Sequence, residues 1–179
     1  PISTFSVLFA RKMGVSMETY GHYQALFFTC SLLLSYPIGA LADRFHPLRV
    51  SMVAMSAYAI ATGAGFFFIR DAASFGVFFV LHGLLSGMYY TASASLGQRL
   101  FPQTHFAQFA SAVGVVNGVL YIVMPTALGA WLDAQHHDYR YTFRLGGLLS
   151  ATAVLAFWLA HREVAKHGGL KAYQPPPPN

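Results

Sequence analysis

Charge is what this sequence has least of. Only 9% of its 179 residues are Asp, Glu, Lys or Arg, against roughly 25% in soluble domains. That deficit excludes an ordinary soluble domain, whose surface needs more polar cover. Cysteine is nearly absent too. Cys30 stands alone inside an apolar run, so no internal disulfide is possible, and a small buried thiol is its expected role. The N-terminus carries neither Met nor the basic opening of a signal peptide. No Lys/Arg block exceeds the pair Arg11-Lys12, which excludes a nucleic-acid footprint despite the net charge of +5. Eight histidines raise the question of a metal oxidase, but the only close pair is His136-His137, and no H-x-x-x-H spacing occurs. Paired carboxylates are missing as well. The chain therefore calls for no metal, no cofactor and no catalytic site.

What is present is long apolar sequence. Thr19 to Ala42, Val50 to Ile69, Ala72 to Gln98 and Leu100 to Leu132 run for 24, 20, 27 and 33 residues without a charge. About 20 apolar residues as helix cross the hydrocarbon core. A backbone in lipid must satisfy its own hydrogen bonds, so helices or closed barrels are the choices. Barrel strands would alternate over about 10 residues, and these runs do not. The fold class is thus all-α, a polytopic transmembrane helix bundle. Six helical segments are expected, near 1–10, 19–42, 49–69, 72–100, 105–132 and 141–161, forming one half-bundle over 1–165. Residues 166–179, ending in Pro175 to Pro178, are expected to be a disordered tail. The apolar opening, only ten residues long, reads as the tail of a longer helix, and the chain as a fragment.

Short loops make neighbouring helices antiparallel, so the loops alternate sides. One side carries Arg44, Arg49, Arg99, Arg162, Lys166 and Lys171, and the other Arg11, Lys12, Arg70, Arg140 and Arg144. Six against five favours a cytoplasmic placing of the first side.

One of those loops holds the densest charge. Asp43 ends the second segment, Pro47 bars its continuation, and Arg44 and Arg49 flank the link. An interfacial carboxylate is costly unless paired. Gly39, one turn earlier, leaves room for another helix. These residues read either as a charged latch between helices or as an interfacial anchor with snorkelling arginines.

The stretch Gly39-Ala40-Leu41-Ala42-Asp43-Arg44-Phe45-His46-Pro47-Leu48-Arg49 resembles the signature loop of the major facilitator superfamily, G-x-x-x-D-(R/K)-x-G-x-(R/K)-(R/K). Gly39, Asp43, Arg44 and Arg49 match. His46 stands at the second glycine and Leu48 at a basic position. The resemblance implies a secondary transporter working by alternating access, with this loop cytoplasmic and taking part in conformational switching. Such carriers have twelve helices in two six-helix halves. The degenerate signature suits the copy between helices eight and nine, so the chain resembles the C-terminal half. The N-terminal half is the alternative. The partners implied are a small polar solute, with or without a coupling proton or ion, membrane lipid, a second six-helix half and a cell (inner or plasma) membrane.

The substrate path is sought among polar residues inside the spans. His82, Ser86, Tyr89 and Ser93 fall at i, i+4, i+7 and i+11, one face of the fourth segment, with Tyr90 beside it. Gln24, Ser31 and Ser35 make a weaker stripe in the second. Asn117 and Tyr121 lie one turn apart in the fifth, above Pro125, which is expected to kink that helix for gating or for packing. Polar faces in a membrane meet other helices or water, so these residues either line a path or bond neighbouring helices. No carboxylate lies within a span, which leaves His82 as the one mid-membrane titratable candidate. Two other classes compete with a carrier: a non-transporting receptor or assembly subunit, and a membrane-embedded enzyme.

Overall fold

The structure, a computed structural model, describes residues 1–173. It is all helical among those residues. α1 is Ile2–Lys12, α2 Met17–Phe45, α3 Pro47–Phe68, α4 Ala72–Ser93, α5 Leu96–Leu100, α6 Phe106–Ala134, α7 Arg140–Lys166 and α8 Gly169–Ala172. Five helical spans are long and apolar enough to cross a membrane, with Ala72–Leu100 counting as one.

Local chemistry sets the ends. α1 stops where Gly14 takes φ +75°, and Val15 N–H closes back on the Ala10 carbonyl at 2.9 Å, a glycine-terminated helix end. Ser16 Oγ accepts from Thr19 N–H and caps α2. Asp71 and Ser74 cap α4 reciprocally. The Asp71 carboxyl is held below its usual range by the Ser74 backbone N–H and then by the Ser74 hydroxyl.

Three boundaries depart from the sequence reading. α2 runs on to Phe45 and α3 begins at Pro47, so the link is the single residue His46. Proline suits a first helical position because its missing N–H would have no partner there. The expected helix 72–100 breaks after Ser93. Ser93 Oγ bonds back to the Tyr90 carbonyl, and Ala94 N–H reaches only the Thr91 carbonyl, a pattern that bends helices. Where disorder was expected from 166, α7 ends at Lys166 and one further helical turn, α8, follows. The four prolines lie outside the described residues.

Lipid tails are as apolar as leucine, so close packing rather than hydrophobicity joins helices in a membrane. Here glycines provide it. On α4, Gly76, Gly83 and Gly87 receive Tyr23, Phe27 and Ser31 from one face of α2. Gly65 of α3 receives Phe143 of α7, and a Cβ on Gly147 would lie 3.0 Å from the Gly63 nitrogen. An aromatic core of Phe9, Tyr20, Phe75, Phe79 and Phe143 closes one end of the bundle. Leu48, Leu96 and Val164 close the other.

α6 is different. It is held near its start by Phe101 stacked on Phe109, and near its finish by Trp131 against Tyr141 and by Lys12 Nζ donating to the His137 carbonyl at 2.7 Å. Between Phe106 and Ala127 no residue of it is buried.

Candidate functional site

The spans carry one buried histidine. His82 is 8% exposed. Its Nδ1 lies 2.7 Å from the Tyr58 hydroxyl of α3, and its Nε2 lies 3.1 Å from Ser3 Oγ of α1. A hydroxyl both donates and accepts, so either neutral tautomer satisfies both nitrogens. His82 thus joins three helices where lipid offers no alternative partner. Spacing within one segment placed it on a polar face; its two partners, Tyr58 and Ser3, lie on other helices and were not singled out. The available signal was weak: Tyr58 is the lone phenol in a 20-residue charge-free run.

Around His82 lie two clefts. One, of about 240 Å³, is lined by Ser3, Phe28, Ser31, His82, Ser86 and Tyr90, among others. The second, of about 120 Å³, is lined by Met55, Tyr58, Ser86, Tyr89 and Tyr90. Ser86 and Tyr90 border both. Ser86 Oγ returns to the Gly83 carbonyl of its own helix, and Ser31 Oγ is buried without a hydrogen-bond partner among the described residues. Tyr90 is 65% exposed. Tyr89 packs edge-on against Phe157 of α7. Ser93, a turn further on, is occupied with its own backbone.

The remaining candidates on the path stand apart. Gln24 is half-buried on α2 and borders neither cleft. Asn117 and Tyr121 lie on the open stretch of α6. That helix continues through Pro125, whose missing N–H leaves the Tyr121 carbonyl without its usual helical donor.

At one end of the bundle, Asp43, Arg44 and Arg49 converge on a groove of about 700 Å³. The partner of Asp43 is not Arg44 or Arg49 but Arg99 of α5, with Nη2 3.2 Å from Oδ1. The pair joins residues 56 positions apart, which loop spacing cannot reveal. Arg44 stacks over the Phe45 ring at 5.3 Å. Gly39 offers room that no helix among the described residues uses, since a Cβ there would meet nothing within 4 Å.

His46 forms the corner of this groove. Its φ is +80°, a region that favours glycine. Its Nδ1 accepts from Leu48 N–H at 3.2 Å and caps α3, so the ring proton resides on Nε2. Burial pushes its pKa below the ordinary imidazole value, and the positive charges of Arg99 and Arg49 push the same way.

The contacts also fix which loops share a side. Asp43 meets Arg99, while Lys12 meets His137 at the opposite end, as alternation of short loops requires. No group of His, Cys, Asp and Glu among the described residues could hold a metal. No similar curated protein and no similar solved structure was found. The family model of the Major Facilitator Superfamily matches residues 2–178.

Proposed function

That the chain belongs to the Major Facilitator Superfamily makes it a multi-pass membrane protein of the secondary-transporter kind, and from this premise we propose that it helps carry a small polar solute by alternating access. Members of this family are transporters and generally not enzymes. The observation that carries the reading is the pair of clefts around Ser86 and Tyr90. They place the Ser86 and Tyr90 hydroxyls, and the Ser31 Oγ that has no partner among the described residues, beside aromatic side chains. A solute that hydrogen-bonds and tolerates aromatic walls suits this lining better than a lipid tail does.

In this proposal His82 is the post that holds α1, α3 and α4 behind the path, because both of its nitrogens already have partners. Ser86 and Tyr90 meet the solute, and Asn117 and Tyr121 face it from α6. Gln24, Tyr89 and Ser93 flank the path. The degenerate signature supports a C-terminal half, paired with a second six-helix half across a central cavity. The six-to-five basic bias supports a cytoplasmic 43–49 loop and tail in a plasma or inner membrane.

The test uses the twelve-helix carrier in a Cys30→Ser background, with single cysteines at Ser86, Tyr90, Asn117 and Tyr121. Transported solute should slow thiol modification at Ser86 and Tyr90. Equal modification rates with and without solute at all four positions would remove these clefts from the path.

A further inference from the structure

The groove at the α2–α3 corner is built for more than the Asp43–Arg99 pair. Among the described residues, three guanidiniums line it, those of Arg44, Arg49 and Arg99, against the one carboxylate of Asp43, which engages Arg99 alone. Among the described residues, Arg44 and Arg49 have no acidic partner. Yet both are set at a sharp, fixed turn, not on a long loop, with one residue between their helices. The ring proton of His46, assigned to Nε2 because Nδ1 accepts from Leu48, adds a donor beside them.

Size and wall chemistry narrow the ligand. A volume of about 700 Å³ falls in the roughly 300–1,000 Å³ range of small-molecule sites, far above what one simple ion needs. Guanidinium forks match the oxygens of phosphate. Phe45 and Leu170 supply apolar edges to the same groove. The groove also lies where two spans end, at the depth of lipid headgroups. We propose that it binds a phosphoryl anion, gripped by Arg44, Arg49 and Arg99 and limited in strength by Asp43. The anion comes either from an anionic phospholipid headgroup or from a free phosphate compound.

The full chain in detergent micelles is titrated separately with phosphatidylglycerol, phosphatidylcholine and inorganic phosphate. Native mass spectrometry counts retained lipid, and a thermal melt reads stabilisation. Phosphatidylglycerol should be retained over phosphatidylcholine. Near a surface each basic residue contributes roughly a fivefold effect on anion binding, so R44Q/R49Q should weaken retention about 25-fold. Asp43→Asn removes a repelling charge and should strengthen it. Arg70→Gln, at the opposite end of the bundle, is the control and should change nothing. Displacement of phosphatidylglycerol by millimolar inorganic phosphate identifies a free phosphate site, and retention despite phosphate identifies a headgroup site. Equal retention of both lipids with no response to phosphate overturns the proposal. So does a loss in R44Q/R49Q no greater than in Arg70→Gln. The Asp43→Asn arm adds charge without removing an arginine, so it decides the matter even where the double variant folds poorly; unchanged or weaker phosphatidylglycerol retention there also counts against the site.

Discussion

α4 and α6 both carry a Gly-x-x-x-Gly spacing, Gly83 to Gly87 in one and Gly114 to Gly118 in the other. On α4 a Cβ at either glycine would run into Phe27 or Ser31 of α2. On α6 it would meet nothing within 4 Å. Both helices qualify as spans by length and composition. Hydropathy therefore says that a helix enters the membrane, not what it packs against. A small residue becomes a seam only when a neighbouring helix supplies a knob opposite it.

The sharpest way to break this contrast is to fill the seams. Gly147→Val would drive a branched side chain into the α3 backbone at Gly63, which cannot step aside as a side chain can. It should cost about 3 kcal/mol or more in reversible unfolding by SDS titration, with Gly83→Val close behind. If either variant unfolds like the parent chain, the glycines are not what joins these helices.

His82 comes next. Its replacement by Leu leaves the Tyr58 hydroxyl and Ser3 Oγ without their shared partner, and should cost about 1–3 kcal/mol in the same titration. Tyr58→Phe removes one bond only and should cost about 0.6 kcal/mol, the average found for hydrogen bonds between membrane helices. Additivity of the two changes would show that the histidine and the phenol do not act together.

The surface pair is weaker still. Asp43 and Arg99 are 77% and 40% exposed, so a double-mutant cycle of Asp43→Asn and Arg99→Gln should give a coupling of about 0.2–1 kcal/mol that fades with salt. Acid should weaken the same corner. The His46 pKa is lowered in the folded protein, so its contribution is complete above the unfolded value of about 6.5 and drains away as pH falls through the folded value. His46→Asn keeps a side chain that tolerates positive φ. Between pH 7 and mildly acidic conditions it should lose less thermal stability than the parent chain; an identical pH dependence would clear His46 of any part.

Smallest of all is Gly118→Ala. With no neighbour to strike, it should change stability by no more than about 1 kcal/mol, in the stabilising direction expected from helix propensity. A large loss would mean that the middle of α6 is packed after all.

How much of this could be read from the sequence follows from the range of each interaction. The spans were legible because a charge-free run is a local property, and the signature loop because its residues are consecutive. The face shared by His82, Ser86 and Tyr89 was legible from helical spacing. The partners were not. Tyr58 lies 24 residues from His82 and Ser3 lies 79 away, and no periodicity within one segment reports on another. Arg99 was lost in the same way, and the break after Ser93 because it turns on one back-bonded hydroxyl. His46 sits at the other extreme. The family pattern has glycine at that position, and its φ of +80° supplies the reason. The histidine accepts that strain while its Nδ1 provides a cap that glycine could not.

That one-residue corner also has a mechanical consequence. At about 1.5 Å of rise per residue, α3 with its 22 residues is a rod roughly 33 Å long. A pivot of about 6° at His46 would sweep its far end through roughly 3.5 Å. The end that would move furthest is the turn between Ile69 and Asp71, at the other surface of the membrane.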